Sequence, residues 1–163
     1  MKKLLLAATA TLAMASISLP AASSTTLVTP GEEHCVVDVA TWDRLNIRSR
    51  PSSRAPVVSR KRYGSCGILV VGSCRAQWCR VEDGHSVGWV NRRFLSMVSP
   101  ALYCAKGARV NVRAYPSSKS RVLVALNAHT CEIAFLPYSR SNWQKIRVQG
   151  WEGWVKRTSV SGQ

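Results

Sequence analysis

Acidic side chains are few in this chain of 163 residues: eight Asp and Glu stand against 23 Lys and Arg, for a formal net charge of +15. Glu32 and Glu33 come early, Asp38, Asp43, Glu132 and Glu152 are dispersed, and Glu82-Asp83 precedes Gly84 as in a hairpin turn. This scarcity argues against the paired carboxylates of a hydrolase acting on cell wall. His34, His85 and His129 are scattered, so neither a zinc constellation nor a Cys–His nucleophile pair has clustered partners. No serine lies in a nucleophile-elbow setting, and no glycine-rich phosphate loop is present. Helix-turn-helix, zinc-finger and RNP-like patterns are missing too, which removes the usual grounds for expecting nucleic acid as a partner. The expectation is a protein that is not an enzyme, with no metal and no cofactor.

What is present begins with a leader. Met1-Lys2-Lys3 is a short basic start, LLLAATATLAMASISL is an apolar run, and PAASS supplies small residues for cleavage between Ala21 and Ser24. This is the pattern of a secretory signal peptide over 1–23, followed by a leading segment over 24–34. The processed protein is expected to have no transmembrane segment and to be exported, periplasmic or secreted. Losing Lys2 and Lys3 takes the charge from +15 to +13. The excess is shared by both halves, +7 over 35–98 and +8 over 99–163. A basic surface of that extent favours polyanionic partners.

The stretch NIRSRPSS at 46–53 returns 65 positions later as NVRAYPSS at 111–118. Slid by that offset, the chain matches itself without a gap from Leu45 to Ser96: Cys66 meets Cys131, Trp78 meets Trp143, and Gly88-Trp89-Val90 meets Gly153-Trp154-Val155. Self-similarity of this length signals a duplicated structural unit, and Ser99-Pro100 reads as a hinge between two domains that touch. Neither unit shows a helical period of ten residues or more. Leu45–Arg48 and Val110–Arg113 alternate apolar and polar, as a half-buried strand does. Short β-rich runs follow at Val57-Val58, Cys66–Val71, Trp78–Val81 and Val87–Val90, then again at Val122–Leu126, Cys131–Leu136, Trp143–Val148 and Trp151–Val155. With turn residues between them, they predict an all-β class of small barrels or sandwiches.

The order L-N-[IV]-R-x-x-P-S-S, an apolar strand, W-x-x-V, then G-W-V and a short polar turn resembles the bacterial SH3 (SH3b) domain. In the first copy these are Leu45–Ser53, Trp78–Val81, Gly88-Trp89-Val90 and Asn91–Leu95; in the second, Val110–Ser118, Trp143–Ile146, Gly153-Trp154-Val155 and Lys156–Val160. The resemblance implies two tandem SH3-like small barrels, over 35–99 and 100–163, in which the repeated phrase runs from the first core strand into a long hairpin loop.

Six cysteines in an exported chain are expected to pair, and the repeat narrows the fifteen possible connectivities. Cys66 and Cys131 are equivalent, and each unit has one further cysteine before its first core strand. This predicts Cys35–Cys66 and Cys104–Cys131, with Cys74–Cys79 closing a hairpin in the first unit.

SH3-like barrels bind through grooves between loops, with aromatic platforms and a few polar groups. The candidates are Trp42, Arg50, Tyr63, Trp78 and Arg92 in the first unit, and Tyr115, Tyr138, Trp143, Trp151 and Arg157 in the second. Trp42 and Trp151 have no counterpart in the other copy, which marks them for recognition rather than folding. The basic run Arg60-Lys61-Arg62 before Tyr63 could pair with carboxylate or phosphate. The expectation is an exported, non-catalytic module binding an anionic bacterial cell-wall polymer, peptidoglycan. The alternative is a periplasmic or secreted protein-binding adaptor or inhibitor, with a host protein among the partners it would admit.

Overall fold

The computed structural model describes residues 28–162; the expected signal peptide and residues 24–27 lie outside the described residues. In the first unit the strands are β1 (Glu33–Val36), β2 (Arg44–Arg48), β3 (Val57–Arg62), β4 (Ile68–Val70), β5 (Trp78–Glu82), β6 (Val87–Asn91) and, after a 3-10 turn at Arg92–Phe94, β7 (Leu95–Met97). They form one antiparallel sheet in the order β3-β2-β6-β5-β4-β1-β7. In the second, β8 (Tyr103–Ala105), β9 (Arg109–Arg113), β10 (Val122–Asn127), β11 (Ala134–Arg140), β12 (Trp143–Val148) and β13 (Trp151–Lys156) precede a 3-10 turn at Arg157–Ser159 and β14 (Val160–Gly162). Here the order is β10-β9-β13-β12-β11, with β14-β8 as a separate ribbon joined through a bridge between Tyr103 and Ile133. Alternating burial marks the central strands of both units, β2, β5 and β6 in the first and β9 and β13 in the second. The fold is all-β and SH3-like, with sheets that curl around their cores without closing into barrels. Among the described residues no helix is long and apolar enough to cross a membrane.

The alternation places Leu45 and Ile47 of β2, and Val110 and Val112 of β9, in two equivalent cores. Glycine is required where β6 crosses β2: a Cβ on Gly88 would lie 2.6 Å from Ile47 Cγ2 and 2.8 Å from the Arg48 carbonyl. Gly153 meets Val112 and the Arg113 carbonyl at the same two distances, so the G-W-V motif is a packing requirement met twice. All three expected disulfides form: Cys35–Cys66, Cys74–Cys79 and Cys104–Cys131.

Two expectations need correction. The first unit starts before residue 35, because Glu33 and His34 belong to β1 and Val28 packs against the core. Ser99 is not a hinge. Its N–H donates to the Phe135 carbonyl at 3.0 Å, and its hydroxyl accepts from the Phe135 N–H at 2.8 Å, which fixes the link to β11.

A third apolar cluster lies between the units: Cys35 and Val37 of the first meet Leu136 and Tyr138 of the second. The Tyr138 hydroxyl donates to the Val36 carbonyl at 2.7 Å, and its ring meets Tyr63 edge-on at 5.3 Å. Burial, with Tyr63 close by, pushes the Tyr138 hydroxyl well above its ordinary range, so it remains a donor. Beside it, Arg147 holds Glu33 through two parallel bonds of 2.8 and 2.9 Å and also reaches Glu152 at 2.9 Å. The Arg147 bond, assisted by the Gly67 N–H and opposed by partial burial, keeps the Glu33 carboxyl below the usual range. Apolar packing, a buried hydroxyl bond and a forked ion pair together seat one unit on the other.

Candidate functional site: one groove built twice

The repeated phrase makes the same loop twice, with one bond, from the Tyr115 N–H to Ser120 Oγ, found only in the second copy because Ala55 stands in the first. The Arg48 guanidinium donates to the Ala55 carbonyl at 2.7 Å, and Arg113 donates to the Ser120 carbonyl at 2.6 Å. Ser52 Oγ accepts the Arg54 N–H at 3.3 Å, as Ser117 Oγ accepts that of Lys119 at 3.2 Å. Further along, the Arg92 N–H reaches the Gln77 carbonyl and the Arg157 N–H the Asn142 carbonyl, both at 2.8 Å. In each unit the 3-10 turn is thereby tied to the residue ahead of the W-x-x-V strand, and the repeated loop meets the two at one place.

A groove opens at that meeting in each unit. The first, of about 390 Å³, is lined by Arg44, Leu45, Asn46, Arg48, Ser53, Trp78, Asn91 and Phe94, joined by Arg93 and by Asp38, Val39, Ala40 and Asp43 of the loop between β1 and β2. The second, of about 210 Å³, is lined by Arg109, Val110, Asn111, Arg113, Ser118, Trp143, Lys156 and Ser159. These eight positions are the 65-residue equivalents of the first eight above. The alternation that buries Leu45 and Ile47 turns Asn46 and Arg48 toward the groove, and Asn111 and Arg113 follow. The second groove is cationic throughout, whereas the first sets two carboxylates beside three guanidinium groups.

The sequence candidates divide among several places. Trp78 and Trp143 line the two grooves. Trp42 is 89% exposed, on the loop between the groove-lining Ala40 and Asp43. Arg50 and Tyr115 occupy equivalent exposed positions on the repeated loops, outside the groove walls. Arg92 and Arg157 open the 3-10 turns; Arg157 donates to Gln144 Oε1 at 3.3 Å, and the groove is lined by the neighbouring Arg93 instead of Arg92. Trp151 lies half exposed on β13, away from both grooves. Tyr138 is buried between the units with Tyr63 against it, so this pair packs the two units together rather than joining the grooves. Of the basic run, Lys61 pairs with Asp83 at 3.1 Å. Burial pushes the Asp83 carboxyl up, but bonds from Ser59, the His85 and Ser86 N–H groups and Lys61 outweigh it and hold it well below its usual range. Sequence reasoning missed Arg93, Phe94, Asp38 and Asp43. The signal for the acids was a length difference: seven residues, 37–43, separate β1 from β2, while only three, 106–108, separate β8 from β9.

Two units built on open antiparallel sheets, each with a long loop after its repeated first core strand and a 3-10 turn before its last strand, define a tandem SH3-like protein. The chain belongs to the bacterial SH3 domain family, whose model matches residues 42–96 and again 106–162. Comparison with curated proteins gives no match. Among solved structures, the chain is similar to NlpC2 from Trichomonas vaginalis, at 11% identity over 81% of this chain and 48% of that one, with a TM-score of 0.38. It is also similar to NlpC1 from Trichomonas vaginalis, at 15% identity over 92% of this chain and 51% of that one, again with a TM-score of 0.38. The chain spans about half the length of these two proteins.

Proposed function

We propose that the protein is an exported, non-catalytic module that binds bacterial cell-wall material, peptidoglycan, through its two grooves. The observation that carries this reading is the repetition of one groove with the same eight positions in both units. A repeated site suits a repeating polymer, because the second contact is made at high effective concentration once the first has formed. The partly exposed indole of Trp78 offers a flat apolar face for a sugar or peptide plane, whereas Trp143 is buried and presents little of its ring to the second groove. The arginines around them offer planar donors for the carboxylates of wall peptides. Three disulfides and a strongly basic charge fit an extracytoplasmic setting. The non-catalytic part of the reading is supported by how the reactive groups are occupied: the six cysteines are paired, and Glu33, Asp83 and Glu152 are held in ion pairs.

Co-sedimentation of the oxidised protein with purified peptidoglycan, at low and at raised salt, tests the proposal. The expected result is pelleting that survives the salt and falls with Trp42→Ala, a side chain too exposed to matter for folding. Pelleting that disappears with salt alone would reduce the interaction to charge attraction. No pelleting at either salt would overturn the proposal. A protein partner would then be the reading to pursue, favoured by the exposure of Tyr115 and Trp151 away from the groove walls.

A further inference from the structure

The first groove is not simply a larger copy of the second, and the geometry points to a distinct ligand chemistry for it: a wall peptide carrying a free primary amine beside a carboxylate. This inference rests on the wall-binding reading and specifies which end of the ligand each side of the groove takes.

Three observations carry it. The four extra residues between β1 and β2 bring Asp38 and Asp43 to the wall of the groove, where the second unit has neither the loop nor an acid. In a chain with 23 basic residues, neither carboxylate forms an ion pair among the described residues. Asp43 Oδ1 accepts the Arg44 N–H at 2.7 Å, which fixes its orientation and leaves its other oxygen open. Asp38 holds its place with a left-handed backbone, φ 54, a conformation that a non-glycine residue adopts at some cost and that recurs at binding sites.

The third observation is the opposite charge in the same groove. The Arg93 guanidinium lies 4.3 Å from the Phe94 ring centroid, a stacking contact that restrains it, and it pairs with no carboxylate among the described residues. The second unit has Thr158 and Ser159 at these two positions. One groove thus presents two acceptors for an ammonium and a restrained planar donor for a carboxylate, with Trp78 in the wall and Trp42 on the loop above. A purely anionic polymer has no use for the carboxylates. A zwitterionic peptide satisfies both sides, and the second groove, cationic throughout, remains for carboxylate alone.

The test exploits a reversal of sign. Acetylating the amines of purified peptidoglycan makes the polymer more anionic, and Asp38→Asn with Asp43→Asn makes the protein more cationic. Attraction by charge alone strengthens under either change. The zwitterion groove weakens under both, by about fivefold in affinity for the loss of one exposed to half-buried charge pair. In the double variant, acetylation should have no further weakening effect. Asn suits both positions, since it tolerates the left-handed region and its amide oxygen can accept the Arg44 N–H. Glu82→Gln with Glu132→Gln, the same two-charge change outside both grooves, should respond to acetylation as the parent does. If the parent pellets acetylated peptidoglycan as well as or better than the unmodified polymer, the amine assignment is overturned and the wall-binding reading stands. If the parent pellets neither, that reading fails and takes this inference with it.

Discussion

At one position the two units answer the same structural need in different ways. Both turn from one strand to the next through a tight hairpin, with Ala76 at φ 51 in the first and Ser141 at φ 51 in the second. The first unit closes this hairpin with the Cys74–Cys79 disulfide. The second has Ser139 and Gln144 there, and the Gln144 amide, buried, donates to the Leu136 carbonyl at 2.6 Å and to the Tyr138 carbonyl at 3.0 Å. Those carbonyls belong to the strand that faces the other unit. The first unit uses a covalent link where β4 is only three residues long, whereas the second runs β11 for seven residues and supports it with an amide. The comparison teaches that the duplicated halves have specialised: the first carries the extended groove, and the second offers the surface on which the first is seated.

The largest test of this division is to remove the long disulfides in turn. Cys35–Cys66 spans 31 residues and Cys104–Cys131 spans 27, so loop entropy alone assigns each about 3.5 kcal/mol. Only Cys35–Cys66 also packs into the cluster between the units. Cys35→Ala with Cys66→Ala should therefore cost more than Cys104→Ala with Cys131→Ala in denaturant unfolding, and should loosen the Tyr63–Tyr138 contact. Equal costs would mean that the interface contributes nothing to the first unit.

Next in size is a test of sameness. Gly88→Ala and Gly153→Ala should each destabilise by about 3 kcal/mol, because the new Cβ meets backbone that cannot withdraw. A large difference between the two would show that the strand crossings are not equivalent. Smaller again is the hairpin comparison itself. Removing Cys74–Cys79 should cost about 2 kcal/mol by loop entropy. Gln144→Ala should cost a similar amount, about 2 kcal/mol, through two buried carbonyls left without their donor. The glutamine variant should also weaken the seating of the units, which the disulfide variant should not.

The smallest expected effect is on acid stability. Burial lowers the pKa of His34, whose Nε2 accepts the Thr29 N–H while Nδ1 donates to the Glu32 carbonyl, so the folded chain holds it neutral. The unfolded chain takes up the proton from about pH 6.5 downward, and folded stability falls with pH from there. Glu33 and Asp83, both held below their usual range, add a second loss at lower pH as they are forced to protonate. All three belong to the first unit. Hydrogen exchange measured across acid pH should show that unit losing protection before the second, and simultaneous loss would contradict the assignment.

The repeat and its alternation made most of the fold legible in advance. Leu45-Asn46-Ile47-Arg48 against Val110-Asn111-Val112-Arg113 shows two strands with the same inward and outward faces, and two of the disulfides follow from the equivalence of Cys66 and Cys131 with one further cysteine ahead of each first core strand. What packs between the copies was not legible, because self-alignment compares the units and carries no information on their contact. Tyr138 stands between the apolar Phe135-Leu136-Pro137 and the polar Ser139-Arg140, so the sequence offers it as a binding aromatic, and only the first unit packed over it shows that it is buried. Half of the candidate site could be read, since Trp78 and Trp143 stand in the repeated motif. The acids did not stand out because Asp38 and Asp43 fall in the segment that has no partner in the other copy. Arg92 and Arg93 are adjacent, and only the 3-10 turn decides which of them faces the groove.

The central claim, that one groove built twice carries the binding, is tested most directly by titrating solubilised peptidoglycan fragments against Arg44→Ala, Arg109→Ala and the double variant. The two arginines are exposed, occupy equivalent positions and line opposite copies of the groove. Each substitution should weaken binding about threefold to fivefold, and the double variant more than either alone, while Arg50→Ala, the same charge change outside the groove, leaves affinity unchanged. Equal losses in all the single variants would mean that charge alone attracts the polymer, and unchanged affinity in the double variant would contradict the account outright.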